Sequence, residues 1–372
     1  MAGSMTRLKV VSVVGTRPNF MKTAPVVSAM RKRPDQFESV LVHTGQHYDS
    51  AMSDIFFREL NVGRPDHMLE VGSGSHGAQT AEILTRMEDV LEAEQPDLVL
   101  VPGDVNSTLA AALAAVKMGI TVGHIESGLR SFDRTMPEEI NRIMTDSISD
   151  LLFTHSPEAA VNLAAEGRPT DAIHPVGNTM IDTLETLKSG FDPSTTLSRL
   201  QLEPGSYLMV TLHRPALVDG PLLQTAVEAL NNVARFMPVV FPVHPRTAAR
   251  IESLPVNPTA GLHLTEPLGY LEFMGLVQQS AAVLTDSGGV QEETTVLGVP
   301  CFTLRSNTER PITVSEGTNM LLGLEPERIR DLPNLIAEVS RSSTAKIPSG
   351  WDGLASERLV DVLESSIVPR SR

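Results

Sequence analysis

The sequence predicts an α/β protein made of two Rossmann-like, doubly wound domains that face each other across a cleft. Short apolar runs rich in Val, Ile and Leu alternate with amphipathic segments, polar turns follow the runs, and the alternation restarts near Gly177. Continuous apolar strands that alternate with helices are typical of a parallel sheet covered on both faces. With 372 residues, the chain is long enough for two domains with separate cores.

The first domain is predicted over residues 5–176. Its apolar runs predict strands at 10–14, 40–43, 98–101, 121–124, 151–154 and 173–176. The segments between and after these runs have helical periodicity, and they predict helices at 21–31, 51–60, 78–94, 109–117, 138–149 and 157–166.

The second domain is predicted over residues 177–354 and repeats the alternation. Its strands are expected at 207–212, 239–243, 281–284 and 301–304, and its helices at 222–236, 270–279 and 290–297. A last helix at 355–367 follows a Gly- and Pro-rich stretch and could pack back on the first domain. Ligands bind at the carboxyl ends of parallel strands, so facing domains would place a cleft between those ends.

Composition and charge exclude several classes of protein. The chain is 41% hydrophobic and 20% charged with a mean hydropathy of −0.01, as in an ordinary globular protein. Its net charge of −15 argues against nucleic-acid binding, which needs a basic face. Cys301 is the single cysteine, so an intrachain disulfide is impossible, and no apolar run reaches membrane-spanning length. We therefore expect a cytoplasmic protein with no membrane partner and no signal sequence.

The segment 284–295 predicts an anion site. An apolar strand ends just before Ser287, Gly288 and Gly289, which lead directly into a helix. Backbone N–H groups at a helix start lack intrahelical partners, and glycine lets an anion approach them closely. Ser287 adds a hydroxyl donor and Glu293 could reach a sugar hydroxyl, so the segment suits a diphosphate with its ribose. An ordinary capped strand-to-helix turn is the alternative interpretation.

The turn after the first predicted strand carries two cations, Arg17 and Lys22. Positive charge at a helix start opposes the helix macrodipole, so a bound anion is the simplest explanation for it. Gly15 in the turn and the position at a strand end both suit a phosphate group.

Three carboxylates are predicted to lie along one edge of the first sheet. Asp104 and Glu126 follow successive strands, and Glu138 opens a helix just after a proline. Helix capping or the helix dipole would explain each residue singly. Together they could supply an acid and a base from one residue type. In the second domain, His213 lies at a strand end, where a protonated imidazole would stabilise a departing phosphate. Arg310 is a further candidate for binding the diphosphate.

Two other patterns do not predict the sites that they resemble, although the polar cluster at 43–49 could line a ligand pocket. His43 and His47 lie across a glycine turn, and no carboxylate or thiolate completes a ligand set for zinc, so no metal site is expected. Residues 72–77 match G-x-G-x-x-G before a helix, but no clear strand precedes them and no acidic residue ends a strand about twenty positions later. A polar loop is the better interpretation of that segment.

Taken in order, these segments resemble the non-hydrolysing UDP-N-acetylglucosamine 2-epimerase family, and the resemblance spans nearly the whole chain. It implies a GT-B arrangement of two domains, a homodimer, and interconversion of UDP-GlcNAc and UDP-ManNAc with no metal or nicotinamide cofactor. The implied route eliminates UDP to give 2-acetamidoglucal and then re-adds it. The segments that carry the resemblance are GTRPNFMK (15–22), HTGQHYD (43–49), VPGDVNSTLAAALAA (101–115), HIESGLRSFD (124–133), MPEEINR (136–142), VGNTMIDTL (176–184), TLHRP (211–215), PVHPR (242–246), LTDSGGVQEE (284–293) and NTERP (307–311).

The resemblance also implies roles for individual residues. The acid and base groups around the sugar would be Asp104, Glu126 and Glu138, with His213 beside the leaving diphosphate. UDP would be held by a larger set that includes Phe273 near the uracil: Arg17, Lys22, Leu268, Phe273, Ser287, Gly288, Gly289, Glu293 and Arg310. An allosteric site for a second UDP-GlcNAc would involve Gln46, Glu139, Arg214 and His244.

The chain departs from the family pattern at several of these positions. Many members have Pro-Glu-Ala-Ile-Lys where this chain has residues 18–22, His-Arg-Arg-Glu where it has 213–216, and Gln at Leu268. Asp49 and the region 73–75 do not match the allosteric site. The departures are compatible with a related nucleotide sugar as substrate. The residues also leave open a hydrolysing 2-epimerase, a GT-B glycosyltransferase or a catalytically silent nucleotide-sugar sensor.

Overall fold

The chain forms two compact units in a computed structural model, which describes residues 7–45, 63–342 and 345–369. Unit 1 comprises Met1–Thr186 with Ser349–Arg372, and unit 2 comprises Leu187–Pro348. The division therefore falls after Thr186, ten residues later than the sequence predicts. The helix that follows the predicted boundary packs in unit 1, where Thr183 Oγ1 donates a hydrogen bond of 2.6 Å to the carbonyl of Met21.

Unit 1 is built on a parallel sheet of seven strands. These are β1 (Leu8–Val14), β2 (Phe37–His43), β3 (His67–Met68), β4 (Leu98–Pro102), β5 (Thr121–Ile125), β6 (Leu151–Thr154) and β7 (Ile173–Pro175). Their order across the sheet is β3-β2-β1-β4-β5-β6-β7, and every pair is parallel. The strand order reverses between β1 and β4, which is where open α/β sheets bind ligands.

The helices of unit 1 cover both faces of this sheet. Val10 and Val14 of β1 pack in a hydrophobic cluster on one face, whereas Val11 and Val13 pack in a cluster on the other. Burial on both sides explains why the strands are continuous apolar runs. The helices are α1 (Arg17–Arg31), α2 (His76–Glu94), α3 (Asn106–Lys117), α4 (Pro137–Ile148), α5 (Pro157–Ala165) and α6 (Thr179–Leu187).

The C-terminal helix (Ala355–Ser366) belongs to unit 1. Its buried residues Leu359 and Leu363 share a cluster with Val10 of β1. Asp182 of α6 caps its start, because the carboxylate accepts hydrogen bonds from the backbone N–H groups of Ala355 (3.1 Å) and Ser356 (2.6 Å). The last segment of the chain thus completes the core of the first unit.

Unit 2 has a parallel sheet of six strands. They are β8 (Leu208–Thr211), β9 (Val239–Pro242), β10 (Leu262–Thr265), β11 (Ala282–Thr285), β12 (Cys301–Thr303) and β13 (Asn319–Leu321). Their order is β10-β9-β8-β11-β12-β13, so the reversal lies between β8 and β11. The helices are α7 (Ser194–Leu200), α8 (Pro215–Val218), α9 (Leu222–Val233), α10 (Pro245–Glu252), α11 (Tyr270–Gln278), α12 (Gly288–Leu297), α13 (Ile312–Ser315) and α14 (Leu332–Ser342).

Two doubly wound, parallel-sheet units confirm the predicted fold class. The strands that the sequence does not predict are β3, β10 and β13, which all lie at sheet edges. The predicted helix at 51–60 lies outside the described residues. In the part of the chain that the structure describes, no helix has the length and apolar character needed to span a membrane.

Candidate active site

Asp104 and Glu126 lie at the carboxyl ends of the neighbouring strands β4 and β5. The Glu126 backbone has a φ of 66°, a left-handed conformation that is uncommon for a residue with a side chain. The Glu126 carboxylate lies near the end of β4: a β-carbon added to Gly103 would lie 3.3 Å from Glu126 Oε2. Since Gly103 precedes Asp104, the two predicted carboxylates come from adjacent strand ends.

Lys22 of α1 forms a buried ion pair with Glu126, in which Lys22 Nζ contacts Glu126 Oε2. Only 6% of Lys22 and 8% of Glu126 are exposed. The sequence predicts a contact of Lys22 with UDP, and that contact stays a prediction, because the structure places the ammonium against a carboxylate. The side chain of Arg17 lies outside the described residues.

The turn between β1 and α1 is closed by Asn19. Its side-chain oxygen accepts hydrogen bonds of 3.2 Å from the backbone N–H groups of both Gly15 and Thr16. Its amide nitrogen donates to the carbonyl of Pro102 at 3.1 Å, which ties this turn to the end of β4. These two backbone donors therefore have a partner within the protein, and the turn brings α1 to the β4 edge.

Asp104 is held by Arg142 of α4, whose Nη2 donates to Asp104 Oδ2 at 2.5 Å. Arg142 Nη1 also donates to Glu139 Oε2 at 2.9 Å. The Glu139 carboxylate in turn accepts hydrogen bonds of 2.9 Å from the backbone N–H groups of Ser131 and Phe132. Glu139 is therefore buried in a network that leads to Asp104, and its place in an allosteric site stays a prediction.

Glu138 lies in the first turn of α4, where it is half-buried. Among the described residues, its carboxylate has no hydrogen-bond or ion-pair partner. It differs in this respect from Asp104 and Glu126, which are both paired with a cation. A half-exposed carboxylate without a partner is suited to contact a ligand, as the sequence predicts for this residue.

In unit 2, Arg310 lies over the start of helix α12. Ser287 is the N-cap residue of this helix, and a β-carbon added to Gly288 would lie 2.4 Å from Arg310 Nη1. Glycine is therefore required at this position for the guanidinium to approach the helix end. Arg310 Nε lies 2.9 Å from Glu292 Oε1, which anchors the cation beside the backbone N–H groups. A guanidinium over a helix N-terminus is an arrangement suited to a phosphate group.

Glu293 lies one turn further along α12. Its Oε1 accepts a hydrogen bond of 2.9 Å from the hydroxyl of Tyr270, at the start of α11. Phe273, which lies on α11 like Tyr270, is half-buried, and so is Leu268 in the loop before α11. The residues predicted to hold a ribose and a uracil are thus placed in elements of unit 2 that are close to the predicted diphosphate site.

His213 lies just after β8, opposite the end of β11 at the point where the strand order reverses. The buried carboxylate of Asp286 accepts hydrogen bonds from the backbone N–H groups of His213 (2.8 Å) and Arg214 (2.7 Å). His213 Nδ1 lies 3.0 Å from Asp286 Oδ1, and 58% of the His213 side chain is exposed. Asp286 therefore orients the ring, with Nδ1 towards the carboxylate and Nε2 directed away from it.

Of the other residues predicted for an allosteric site, Arg214 and His244 lie in unit 2. His244 is exposed and is the N-cap of α10, where its Nδ1 accepts a hydrogen bond of 3.3 Å from the backbone of Arg246. Gln46 lies outside the described residues. The second nucleotide-sugar site therefore stays a prediction.

Comparison with known proteins identifies the family. The family model described as UDP-N-acetylglucosamine 2-epimerase matches residues 28–364. The chain belongs to the UDP-N-acetylglucosamine 2-epimerase family. It is 44% identical to the UDP-N-acetylglucosamine 2-epimerase of Methanococcus maripaludis over 331 residues, which cover 86% of this chain and 89% of that protein.

Two further members of the 2-epimerase family are informative. The UDP-2,3-diacetamido-2,3-dideoxy-D-glucuronate 2-epimerase of Pseudomonas aeruginosa is 43% identical, over 91% of this chain and 93% of that protein. The crystal structure of the Methanocaldococcus jannaschii UDP-GlcNAc 2-epimerase in complex with UDP-GlcNAc and UDP matches with a TM-score of 0.84 and 39% identity, covering 96% of this chain and 99% of that one. The resemblance found in the sequence is confirmed.

Several residues of this 2-epimerase family member hold the predicted site residues in place but are not predicted by the sequence. His213 is contacted by Asp286, and Asp104 is contacted by Arg142. The β1–α1 turn is contacted by Asn19, and Arg310 is contacted by Glu292. Each lies inside a segment that carries the resemblance, close to a predicted residue. Their partners are distant in sequence or are backbone groups, so only their places inside these segments could have indicated them.

Proposed function

We propose that this chain is a non-hydrolysing UDP-N-acetylglucosamine 2-epimerase, which interconverts UDP-GlcNAc and UDP-ManNAc. The pair of carboxylates at adjacent strand ends carries the proposal. Glu126 is held beside Gly103 in a left-handed backbone conformation, and Asp104 is fixed by Arg142. Strained backbone at a ligand-facing strand end is typical of catalytic residues.

The proposed reaction begins with removal of the proton at C2 of the hexose. The electron pair of the C2–H bond forms the C1=C2 double bond, and the bond from C1 to oxygen breaks, so that UDP leaves with its electron pair. A proton is then delivered to the opposite face of C2, and UDP oxygen bonds to C1 again. Because C2–H is not α to a carbonyl group, its removal needs a positioned base together with charge stabilisation at the departing phosphate.

The chain offers groups for both requirements. We assign the acid and base roles to Asp104, Glu126 and Glu138 in unit 1. His213, with Asp286 behind its ring, would stabilise the departing diphosphate. In unit 2, the UDP moiety would be bound by the helix start and its surroundings: Leu268, Phe273, Ser287, Gly288, Gly289, Glu293 and Arg310. The resemblance adds Arg17 and Lys22 as candidates.

The charges around the proposed sugar site favour a neutral hexose over a uronate. Among the described residues there, Lys22 is paired with Glu126 and Arg142 with Asp104. Arg130 is likewise paired, with Asp146 and with Glu166. The cations near a uronate carboxylate would already be paired with Asp or Glu side chains. Repulsion between these carboxylates and the uronate would cost binding free energy. This supports UDP-GlcNAc as substrate, rather than the uronate named for the Pseudomonas relative.

Product analysis tests this proposal directly. We expect purified protein incubated with UDP-GlcNAc alone to form UDP-ManNAc, detected by NMR of the anomeric protons, without release of free sugar. UDP-2,3-diacetamido-2,3-dideoxy-D-glucuronate should react more slowly at equal concentration. Free ManNAc would indicate the hydrolysing reaction, and the reverse order of the two substrates would indicate the uronate enzyme. No turnover without an acceptor would indicate a glycosyltransferase or a sensor. The 2-epimerase names of the matched relatives favour the first outcome.

Gly288→Ala tests the proposed diphosphate site. The added β-carbon would meet Arg310 Nη1 at 2.4 Å, so the guanidinium must move away from the helix start. We expect UDP affinity, measured by calorimetry, to fall about tenfold or more, because a charge-assisted hydrogen bond contributes about 1.5–3 kcal/mol. Gly220→Ala is the matched control in the same unit, since its β-carbon meets its nearest atom only at 3.8 Å. Equal UDP affinity of both variants would contradict the assignment of Arg310.

The resemblance supports further proposals about the protein in the cell. We infer a homodimer in the cytoplasm that supplies precursors for cell-surface polysaccharide. Sedimentation equilibrium of the purified protein tests the first point, and a monomer at micromolar concentration would contradict it.

A further inference from the structure

His124 is a fully buried residue of β5 whose two ring nitrogens both have a polar partner. Its Nδ1 lies 2.7 Å from Asp146 Oδ1, and its Nε2 lies 2.7 Å from the carbonyl oxygen of Gly103. The sequence predicts only that this residue ends a strand. Its contacts connect β5 to the end of β4 and to helix α4.

The partners determine the protonation state of the ring. A carbonyl oxygen can only accept, so Nε2 must carry a proton. An ionised carboxylate can also only accept, so Nδ1 carries a proton if Asp146 is ionised. Asp146 Oδ2 accepts a hydrogen bond of 3.1 Å from the Gly128 backbone and lies 2.7 Å from Arg130 Nη2, and both partners favour the ionised form. The ring is then an imidazolium with both N–H groups in use.

The charges around the ring are balanced. Burial of the Asp146 carboxyl acts to raise its pKa, but the neighbouring His124 and Arg130 outweigh burial and hold that pKa below its usual value. Arg130 also donates to both oxygens of Glu166, at 2.7 and 2.6 Å. Arg130 is thus one cation between two carboxylates, so the interior can accommodate a second positive charge on the ring.

The same contacts lead to both proposed catalytic carboxylates. The Gly103 carbonyl belongs to the peptide group that joins Gly103 to Asp104, so the Nε2 hydrogen bond fixes the orientation of the backbone at Asp104. On the other side, Asp146 holds the Gly128 N–H, two residues after Glu126, in the loop where the chain adopts the left-handed conformation.

We propose that His124 is a buried imidazolium that acts as a positioning residue: it fixes the Asp104 peptide through Gly103 and the Glu126 loop through Asp146. This inference rests on the proposed 2-epimerase activity for its kinetic consequence, but the charge on the ring is independent of that activity. One ionic group thereby sets the separation of two carboxylates that come from different strands.

Two isosteric substitutions separate the two hydrogen bonds of His124. The amide nitrogen of Asn takes the place of Nδ1, so His124→Asn retains a donor to Asp146 and loses the donor to Gly103. The amide nitrogen of Gln takes the place of Nε2, so His124→Gln retains the donor to Gly103. We expect kcat to fall about 100-fold in His124→Asn and less in His124→Gln, since a misplacement of about 1 Å can cost that factor. The KM for UDP-GlcNAc should change little in both variants.

Calorimetric UDP binding and thermal unfolding serve as controls for these variants. Wild-type kcat in His124→Asn, or a loss confined to KM, would overturn the positioning role.

NMR of the wild-type protein tests the charge without any assay of activity. The chain has ten histidines, and ¹⁵N-labelled His124 is assigned by the signal that is missing in His124→Gln. We expect both of its ring nitrogens to carry a proton in the folded protein, because both face an acceptor. One protonated and one bare nitrogen would overturn the imidazolium, even if the wild type fails to epimerise UDP-GlcNAc. If the wild type does not epimerise UDP-GlcNAc but both ring nitrogens are protonated, the proposed function is wrong and the charge on His124 still holds.

Discussion

Glu126→Gln is expected to slow epimerisation of UDP-GlcNAc by about 10²–10⁴-fold, the usual contribution of a general acid or base. The amide has nearly the same shape as the carboxylate, but it cannot take up or deliver the proton at C2. UDP affinity should remain close to that of the wild type, because the amide keeps the shape of the side chain and Glu126 is not among the residues proposed to bind UDP. Initial rates by NMR and UDP binding by calorimetry measure the two effects separately.

Glu88→Gln is the matched control for this variant, because Glu88 is an exposed carboxylate on α2. It should have the wild-type rate. Asp104→Asn should behave like Glu126→Gln, since its carboxylate lies at the adjacent strand end. Wild-type turnover in either variant would show that the assignment of the acid and the base is wrong.

Lys22→Met is expected to lower the free energy of unfolding by about 3–5 kcal/mol and to reduce turnover strongly. The substitution removes the ammonium from a buried ion pair and leaves the Glu126 carboxylate without that counter-charge, which is costly in an interior. Methionine preserves the length and most of the volume of the side chain, so packing is a minor part of the loss. Urea denaturation measures the stability, and the NMR assay measures the rate.

A double-mutant cycle shows whether Glu126 is the partner of Lys22. In Lys22→Met/Glu126→Gln both charges are absent, so stability should return towards that of the wild type while activity stays lost. Additive losses of stability in the double variant would mean that the two residues do not interact. A large loss of UDP affinity in Lys22→Met, with stability unchanged, would instead support a contact between Lys22 and phosphate.

The sequence predicts the interior of both sheets because burial on both faces leaves a simple pattern. β1 and β4 consist mostly of apolar residues, so their positions are recognised within a few residues. The edge strands β3 and β13 have two and three residues and mostly half-buried side chains, so no periodicity marks them. The structure divides the chain later than the sequence predicts, because a helix that follows a turn gives no sign of which sheet it will pack against.

The candidate site is predicted where a single segment carries the signal. Asp104, Glu126 and His213 each follow an apolar run, and the start of α12 has its glycine and serine in one segment. The side chains that hold them are not predicted, because those contacts join distant segments: Lys22 meets Glu126, and Asp286 meets His213. The positive φ of Glu126 could not be predicted either, since glutamate has no preference for it.

Deuterium incorporation is the most direct test of C2 proton transfer by these carboxylates. Wild-type protein would be incubated with UDP-GlcNAc in deuterated water, and both sugar nucleotides would be analysed by NMR and mass spectrometry. We predict one deuterium at C2 in UDP-ManNAc and, as the reaction approaches equilibrium, in the recovered UDP-GlcNAc as well. If the UDP-ManNAc that forms retains protium at C2, the acid and the base are not carboxylates whose protons exchange with solvent.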